Sequence, residues 1–288
     1  MSTSYELRAR VALTSGAFQY AHALGQNFIL DEGLLSSLID ASGVAPDDCV
    51  LEIGTGAGVM TALLSDRCAQ IVGIEIDRRL GPVLAEVLAG RDNVHIVYAD
   101  AMHADIAQIA RERFGARDFR VVANLPYYIT SDILMKLVST GLPITDICVM
   151  VQKEAAERIL SQPDTKRWCA LAAMIAYYGE PSVIRHVPRA AFFPRPHIDS
   201  AFLRIALFPE KPHPAKNDDM MLRVVTAAFH MRRKKLANNL RAAFSLNQAD
   251  ALAILTAAGI DPDVRGEALD IAALARLSDA LTECEHAR

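Results

Sequence analysis

The chain has 288 residues, of which 52% are hydrophobic, and its formal net charge is −4. This length and apolar content suffice for one large domain plus a small one, and they exclude disorder on a large scale. The first residues have no apolar core of signal-peptide length, and no later stretch of about 18 residues lacks a charge or a helix breaker. We therefore expect a cytoplasmic protein without a membrane partner.

The five cysteines are scattered and form no C-x-x-C pair. No histidine lies near them at metal-ligand spacing. We expect them to be small buried apolar residues in a reducing compartment, and we predict no metal site.

Short β-branched runs alternate with amphipathic stretches between Cys49 and Val151. This alternation predicts β-α-β units around a parallel sheet. Strands are expected at Cys49–Ile53, Ile71–Ile76, Val94–Tyr98, Phe119–Ala123 and Ile144–Val151. Helices are expected at Val59–Arg67, Arg78–Ala89 and Ser131–Thr140.

Beyond Val151 the pattern changes. A helix near Lys153–Leu160, a loop at Gln162–Lys166 and another helix precede two strands, Ser182–Val187 and Ser200–Leu207. These strands are expected to be antiparallel additions to the sheet.

The segment Phe208–Asn217 has three prolines and is the best candidate for a linker. The pattern after it is helical to the end. We therefore predict an α/β domain at residues 1–210, with a mostly parallel sheet, and a small all-α domain at residues 211–288.

The first strand leads into three alternate glycines, Gly54, Gly56 and Gly58, which precede a helix. Such glycines let the backbone turn tightly and approach a ligand closely at a helix N-terminus. The dinucleotide fingerprint G-x-G-x-x-G is absent because Val59 stands at its last position, which argues against an oxidoreductase. The spacing favours the loop that cradles the methionine part of S-adenosylmethionine, although a purely structural turn stays open.

Two acids follow the next two strands. Glu75 ends the second strand, where open α/β folds keep the carboxylate that accepts the ribose hydroxyls. Asp100 follows the third strand and is placed to accept a hydrogen bond from the adenine amino group of the cofactor. Either acid alone would often be a solvated loop residue, but their order at consecutive strand ends favours a cofactor site.

The fourth strand ends in Asn124-Leu125-Pro126-Tyr127, the most specific motif of the chain. An aromatic amine is a poor nucleophile, so an enzyme must accept hydrogen bonds from its N–H groups to let the nitrogen pyramidalise. The Asn124 side-chain oxygen and the Leu125 carbonyl suit that role, Pro126 fixes the backbone, and Tyr127 offers a face for an unstacked base. The alternative is an ordinary strand-to-helix turn.

With these motifs, the chain resembles the ribosomal RNA adenine N6,N6-dimethyltransferases, specifically the small-subunit enzymes of the KsgA type. The resemblance covers most of the chain. It is carried by Gly25–Ile29, Glu52–Gly58, Asn124–Tyr127, Val151–Glu154, Phe192–Pro196, Asp199–Ala201, Phe229–Leu240 and Arg265–Leu269. The last two segments look like the small-subunit group rather than the antibiotic-resistance methylases of the large-subunit RNA.

The resemblance implies a Rossmann-like S-adenosylmethionine-dependent methyltransferase domain. It implies that the cofactor pocket is lined by Asn27, Ile29, Gly54, Glu75, Asp100 and Asn124, and that Tyr127 and Phe192 sandwich the adenine. Without the family, Gln26-Asn27 would simply cap the next helix, and Phe192 would be a core aromatic. The implied substrate is a pair of adjacent adenines near the 3′ end of small-subunit RNA in a pre-30S-type particle, and the implied state is a monomer.

A basic stripe stands out in this acidic chain. Between Met220 and Phe244 there is no acid, and the cations are Arg223, Arg232, Arg233, Lys234, Lys235 and Arg241. We expect them to hold phosphates in an RNA-binding domain. The alternative is a solvated helix face.

Two segments depart from the family pattern. Phe18–Leu24 lacks the usual cations before Gly25, and the loop Pro163–Cys169 has an unusual sequence. Two other functions remain open: a large-subunit adenine N6-methyltransferase, and a non-catalytic ribosome-assembly factor that binds RNA.

Overall fold

The structure, a computed structural model, describes residues 4–15 and 26–286. The described strands are β1 (Phe28–Ile29), β2 (Cys49–Ile53), β3 (Gln70–Glu75), β4 (Val94–Tyr98), β5 (Phe119–Asn124), β6 (Ile144–Gln152), β7 (Gly179–Val187), β8 (Phe192–Phe193) and β9 (Ser200–Leu207). The described helices are α1 (Tyr5–Ser15), α2 (Glu32–Ser42), α3 (Val59–Ser65), α4 (Gly81–Val87), α5 (Ile106–Phe114), α6 (Thr130–Ser139), α7 (Lys153–Ile159), α8 (Ala170–Tyr178), α9 (Asp218–His230), α10 (Leu236–Phe244), α11 (Gln248–Ala257) and α12 (Ile271–His286).

Seven strands form one sheet in the order β4-β3-β2-β5-β6-β9-β7. The first five are parallel to one another, whereas β9 is antiparallel to β6, with Ser200 opposite Gln152. The predicted mostly parallel sheet with an antiparallel addition is therefore confirmed. The five predicted parallel strands occur within one residue of their expected bounds.

The sheet has a topological switch point between β2 and β5. From β2 the chain runs outward through β3 to β4, and from β5 it runs the other way to β6. Every residue of β2 is buried, as expected for a parallel strand covered on both faces. Open α/β sheets bind ligands at such a point, outside the carboxyl ends of the strands.

Three helices, α1, α2 and α5, are absent from the predicted set. In α2 the cap is Asp31, whose side chain accepts from the Leu34 N–H, so Gln26-Asn27 does not cap that helix. The predicted helix Arg78–Ala89 is a 3-10 turn at Arg78–Leu80 followed by α4. Pro82 lies in the first turn of α4, where its missing N–H costs nothing.

The described chain divides into two compact units. The first comprises the described residues up to Lys136 together with Leu142–Ala156 and Ser182–Leu207. The second comprises Leu137–Gly141, Glu157–Pro181 and the described residues from Phe208 onward, so it also takes in α8. Its C-terminal part is helical, as predicted.

The proline-rich segment Phe208–Asn217 contains neither helix nor strand. It is nevertheless anchored within the second unit, because the Ala215 N–H donates to the Tyr177 hydroxyl at 3.0 Å and Lys211 pairs with Asp218. No described helix combines the length and the apolar character needed to span a membrane.

Candidate active site

A cavity of about 290 Å³ opens at the carboxyl ends of the central parallel strands in the first unit. It lies at the switch point, where the loops after β2 and β5 meet. The predicted site residues on its wall are Asn27, Gly54, Gly56, Glu75, Asp100, Asn124, Leu125, Pro126 and Tyr127. The structure thus brings together nearly all the residues that the sequence analysis assigned to cofactor binding and to methyl transfer.

The glycine loop after β2 forms one wall of this cavity. Gly54 and Gly56 have φ values of +79° and +56°, a region that other residues rarely adopt. A Cβ at Gly56 would lie 2.9 Å from the ring of Phe28. Both the positive φ and the close Phe28 ring therefore favour glycine at Gly56, whose missing side chain lets Phe28 pack against the loop.

Glu75 is 5% exposed at the end of β3, and its carboxylate is tied to the glycine loop. One oxygen accepts the Gly56 N–H at 2.8 Å, and the other accepts the Asp77 N–H at 2.9 Å. Burial raises the pKa of Glu75, and these two N–H donors oppose that shift. The Thr55 hydroxyl also donates to the first of these oxygens, at 3.5 Å. A carboxylate accepts up to about four hydrogen bonds, and a ribose hydroxyl is a suitable further donor.

Asp100 is held in a tight turn after β4. Its two oxygens accept the Met102 N–H at 2.9 Å and contact His103 Nδ1 at 2.7 Å. The Met102 N–H, and then His103, hold the pKa of Asp100 below its usual range. Asp100 is therefore an ionised acceptor on the cavity wall.

Asn124 ends β5 and has a fixed orientation. Its Nδ2 donates to the Asn27 carbonyl at 2.9 Å. Because the amide's donor end is bound in this way, its oxygen is the end that serves as an acceptor. Asn27 thus contributes through its backbone.

Tyr127 is partly buried on the cavity wall, with its hydroxyl 2.7 Å from the Ser200 Oγ. Ser200 is fully buried at the start of β9. Burial raises the pKa of Tyr127, so the phenol is neutral. The contact fixes the ring, and it makes Ser200 a part of the site whose role the sequence alone did not assign.

Two predicted residues lie elsewhere. Ile29 is buried in β1, beside a small neighbouring pocket of about 30 Å³ that also includes Gly54 and Asn124. Phe192 pairs with Ile29 across a two-stranded antiparallel sheet and is 3% exposed. As placed here, Phe192 is a core aromatic and not a cavity wall, which is the alternative given for it above. Gly25 and the segment Phe18–Leu24 lie outside the described residues.

Other cavity residues carry weaker sequence signals. His103 and Tyr128 stand at the cavity with exposed side chains, and Ile76 and Leu80 add apolar surface. Tyr128 directly follows the Asn124–Tyr127 motif, so its place at the cavity could have been predicted. His103 follows Asp100 by three residues in a turn, and nothing in its spacing marks it.

The basic stripe is not a single helix face. Residues 231–235 form a turn between α9 and α10, and four of the six cations have side-chain partners in the second unit. These pairs are Arg223–Glu285 at 3.0 Å, Arg232–Glu267 at 2.8 Å, Lys235–Asp263 at 2.6 Å and Arg241–Gln248 at 2.9 Å. Arg233 and Lys234 have no ionic partner within the part of the chain that the structure describes.

The unusual loop Pro163–Cys169 packs within the second unit. The Asp164 N–H donates to the Glu267 carbonyl at 2.9 Å, and the buried Trp168 donates from Nε1 to the Leu269 carbonyl at 3.2 Å. The loop with this unusual sequence is therefore held by hydrogen bonds from Asp164 and Trp168 within the same unit.

Among the described residues, no cluster of three or more His, Cys, Asp or Glu side chains could hold a metal ion. Three of the five cysteines, Cys49, Cys68 and Cys148, are buried as expected, whereas Cys169 and Cys284 are only partly buried. Burial raises the pKa of Cys68 and of Cys148 to about 12, so both stay protonated thiols.

The residues on the cavity wall suit S-adenosylmethionine. The loop after β2 has two glycines at positive φ on the cavity wall, a buried carboxylate lies at the end of β3, and an ionised carboxylate follows β4. Asn124 lies at the end of β5.

Comparisons with known proteins agree with this geometry. Residues 17–283 match the family model described as ribosomal RNA adenine dimethylase. Relatives called ribosomal RNA small subunit methyltransferase A are 41% identical in Geobacillus thermodenitrificans and 40% identical in Streptococcus pneumoniae, covering 94–95% of this chain and 95% of theirs.

Two solved structures are similar over most of this chain. A dimethyladenosine transferase from Plasmodium falciparum has a TM-score of 0.71 at 23% identity, covering 88% of this chain and 96% of that one. The 23S rRNA methyltransferase ErmE has a TM-score of 0.63 at 26% identity, covering 89% and 100%. The site, the fold and the match along the sequence lead to one conclusion: this chain belongs to the ribosomal RNA adenine dimethylase family.

Proposed function

We propose that this protein transfers methyl groups from S-adenosylmethionine to the N6 atoms of two adjacent adenines near the 3′ end of small-subunit ribosomal RNA. The observation that carries the proposal is Asn124, whose amide is held by the Asn27 carbonyl at the edge of the cofactor cavity. The names of the relatives support the choice of the small-subunit RNA. We therefore favour it over large-subunit RNA and over a non-catalytic assembly factor.

The cofactor, when bound, supplies an electrophilic methyl group on a sulfonium sulfur. The lining residues Gly54 and Gly56 would hold its methionine part, Glu75 would accept hydrogen bonds from its ribose hydroxyls, and Asp100 would accept one from its adenine amino group. These contacts would hold the cofactor beside the turn at Asn124–Tyr127, which lies on the same cavity wall. Placement in line with the S–C bond supplies most of the rate.

The turn Asn124–Tyr127 prepares the target nitrogen. The Asn124 Oδ1 and the Leu125 carbonyl accept the two N–H groups of the adenine, which favours a pyramidal nitrogen with an available lone pair. With the cofactor bound, the N–C bond would form as the S–C bond breaks, and the nitrogen would then lose a proton to water. A strong base is unnecessary because the product ammonium is acidic.

The same two acceptors serve two successive transfers. After the first methylation one N–H remains, so only one acceptor can hold the nitrogen while the other faces the new methyl group. The backbone carbonyl of Leu125 cannot rotate freely. The Asn124 amide is restrained as well, because it donates to the Asn27 carbonyl. We propose that this shared restraint lets both methyl groups be added at one site.

Tyr127 provides the stacking face for the flipped adenine. Its hydroxyl contact with the buried Ser200 fixes the ring plane, which lowers the entropy lost on stacking. Phe192 is enclosed by the core, so we assign the stacking to Tyr127.

We further propose that residues 1–210 form the S-adenosylmethionine-binding domain and residues 211–288 an RNA-binding domain. Arg223, Arg232, Arg233, Lys234, Lys235 and Arg241 would contact RNA phosphates in a pre-30S-type particle. We expect the protein to act in the cytoplasm, in ribosome biogenesis, as a monomer.

The test is methyl transfer from radiolabelled S-adenosylmethionine to small-subunit particles that lack dimethyladenine. Wild-type protein should form N6,N6-dimethyladenine at two adjacent positions of small-subunit RNA. The Asn124→Ala variant should lose at least about 100-fold in rate while it still binds the cofactor in calorimetry. Label found only in large-subunit RNA, or no transfer to either RNA, would overturn the proposal.

A further inference from the structure

Lys136 lies in α6, the helix that follows the catalytic turn, and its ammonium reaches the loop after Asp100. Its Nζ donates to the carbonyls of Ala101, Met102 and Ala104 at 2.9, 2.9 and 2.7 Å. An ammonium has three N–H donors, so this loop uses all of them. The lysine does not line the cavity itself.

The loop has a backbone arrangement that needs such a donor. The N–H groups of His103 and Ala104 donate to the Asp100 carbonyl, and the Met102 N–H donates to the Asp100 side chain. The N–H groups of this loop therefore point toward Asp100, while its three carbonyls point toward Lys136. Without the ammonium, these partly buried acceptors would lose their shared donor.

The same helix is joined to the catalytic turn at its other end. The Thr130 hydroxyl and the Ile129 N–H both donate to the Pro126 carbonyl. Helix α6 thus connects Pro126, in the turn that holds the target base, with the loop that carries Asp100.

We propose that Lys136 is a positioning residue that sets the Asp100 carboxylate for recognition of the cofactor's adenine amino group. The inference deepens the proposed function and rests on its assignment of Asp100. Because one rigid helix carries both attachments, Lys136 also fixes the adenine end of the cofactor relative to the turn at Asn124–Tyr127.

The experiment measures the dissociation constants of S-adenosylhomocysteine and of its analogue in which hydrogen replaces the adenine amino group. The ratio of the two constants reports how well Asp100 recognises that amino group. In wild-type protein we expect the analogue to bind about tenfold more weakly. Asp100→Asn should abolish most of this difference.

Lys136→Met keeps the length of the side chain and removes the ammonium. If Lys136 positions Asp100, the variant should bind S-adenosylhomocysteine about tenfold more weakly, with nearly unchanged affinity for the analogue. The ratio then falls toward one. At saturating cofactor, kcat should change much less than the KM for S-adenosylmethionine.

Lys136→Gln keeps two N–H donors, so its ratio should lie between those of wild type and Lys136→Met. It gives the same comparison if the methionine variant does not fold. Lys216→Met, which removes an exposed lysine paired with Glu283, is the matched control and should leave the ratio unchanged.

Three results would overturn the inference. If both ligands weaken in parallel in the Lys136 variants, the lysine supports the fold and does not position Asp100. Unchanged binding of both ligands would exclude any role in the site. If instead Asp100→Asn keeps the wild-type ratio, the assignment of Asp100 fails, and methyl transfer by the wild type then shows that the proposed reaction survives without it.

Discussion

At the residue scale, Glu52 is an acid whose buried surroundings disfavour its ionised form. It lies in β2 with no exposed surface, and neither carboxyl oxygen has a well-formed hydrogen bond among the described residues. Burial raises the pKa of Glu52 to about 8, against a smaller lowering by the neighbouring Thr61 hydroxyl. The side chain borders the small pocket beside the glycine loop, and at neutral pH it is uncharged.

The pKa of Glu52 gives stability a defined pH dependence. The unfolded chain ionises this group near its ordinary value of 4.5, whereas the folded chain keeps its proton up to about pH 8. Wild-type stability should therefore fall as the pH rises through that window and should fall no further above it. For Glu52→Gln minus wild type, the difference in unfolding free energy should grow by up to about 1.4 kcal/mol per pH unit.

Urea unfolding of both proteins between pH 5 and pH 8.5 measures this difference. Glu283→Gln is a suitable control, because Lys216 lowers the pKa of Glu283, and any stability it adds is lost only as the pH falls into the acidic range. A difference that stays constant from pH 5 to pH 8 would mean that Glu52 is ionised in the folded protein.

At the scale of the elements, strand bounds were more predictable than helices. The runs at β2, β4 and β9 are bounded by turn residues, and their predicted ends agree with the structure. Helices α2 and α5 were given no predicted bounds, although each has an Asp at its N-cap and a Gly at its C-cap. These capping residues are recognisable in the sequence even where the apolar periodicity is weak, so they could have been used to predict both helices.

The site shows where prediction from sequence ends. Glu75, Asp100 and Asn124 were predictable because the carboxyl ends of parallel strands meet at one edge. The contact of Tyr127 with Ser200 and that of Lys136 with the Asp100 loop join residues far apart in the chain. No local pattern encodes such pairings, and the burial of Phe192 depends on β1 in the same way.

Strands β5, β6 and β9 share a charged cluster near the beginning of β6. Asp146 is 5% exposed and accepts from Arg120 at 2.9 Å and from Arg204 at 2.5 Å, and Arg120 also contacts Asp48 at 2.8 Å. Removing Arg120 leaves a buried carboxylate with one partly exposed partner. We expect Arg120→Met to lower the unfolding free energy by about 2 kcal/mol.

Arg204→Met is the matched variant, because the Arg204 side chain is 43% exposed against 20% for Arg120. It should cost less than about 1 kcal/mol. Thermal and urea unfolding at pH 7 give both values. Equal losses for the two variants would mean that their burial does not determine how much each pair contributes.

At the scale of the whole molecule, the chain combines a net charge of −4 with an RNA substrate. A cation of the basic turn at residues 231–235 attracts phosphates less strongly when it is already paired with a carboxylate. Arg232 and Lys235 are paired with Glu267 and Asp263, whereas Arg233 and Lys234 have no ionic partner in the described part of the chain. The acids should therefore screen this surface and lower its affinity for RNA of any sequence.

This screening predicts opposite effects for two kinds of variant. Replacing Arg233 and Lys234 with alanine should weaken binding to a transcript of the 3′ region of small-subunit RNA. It should also reduce the slope of log K against log salt by about 1.5. Glu267→Gln should tighten binding and steepen the slope, because Arg232 becomes available to a phosphate. Lys216→Ala, whose lysine pairs with Glu283, should change neither. Weaker binding by Glu267→Gln would show instead that the carboxylate is needed to hold the turn in its RNA-binding shape.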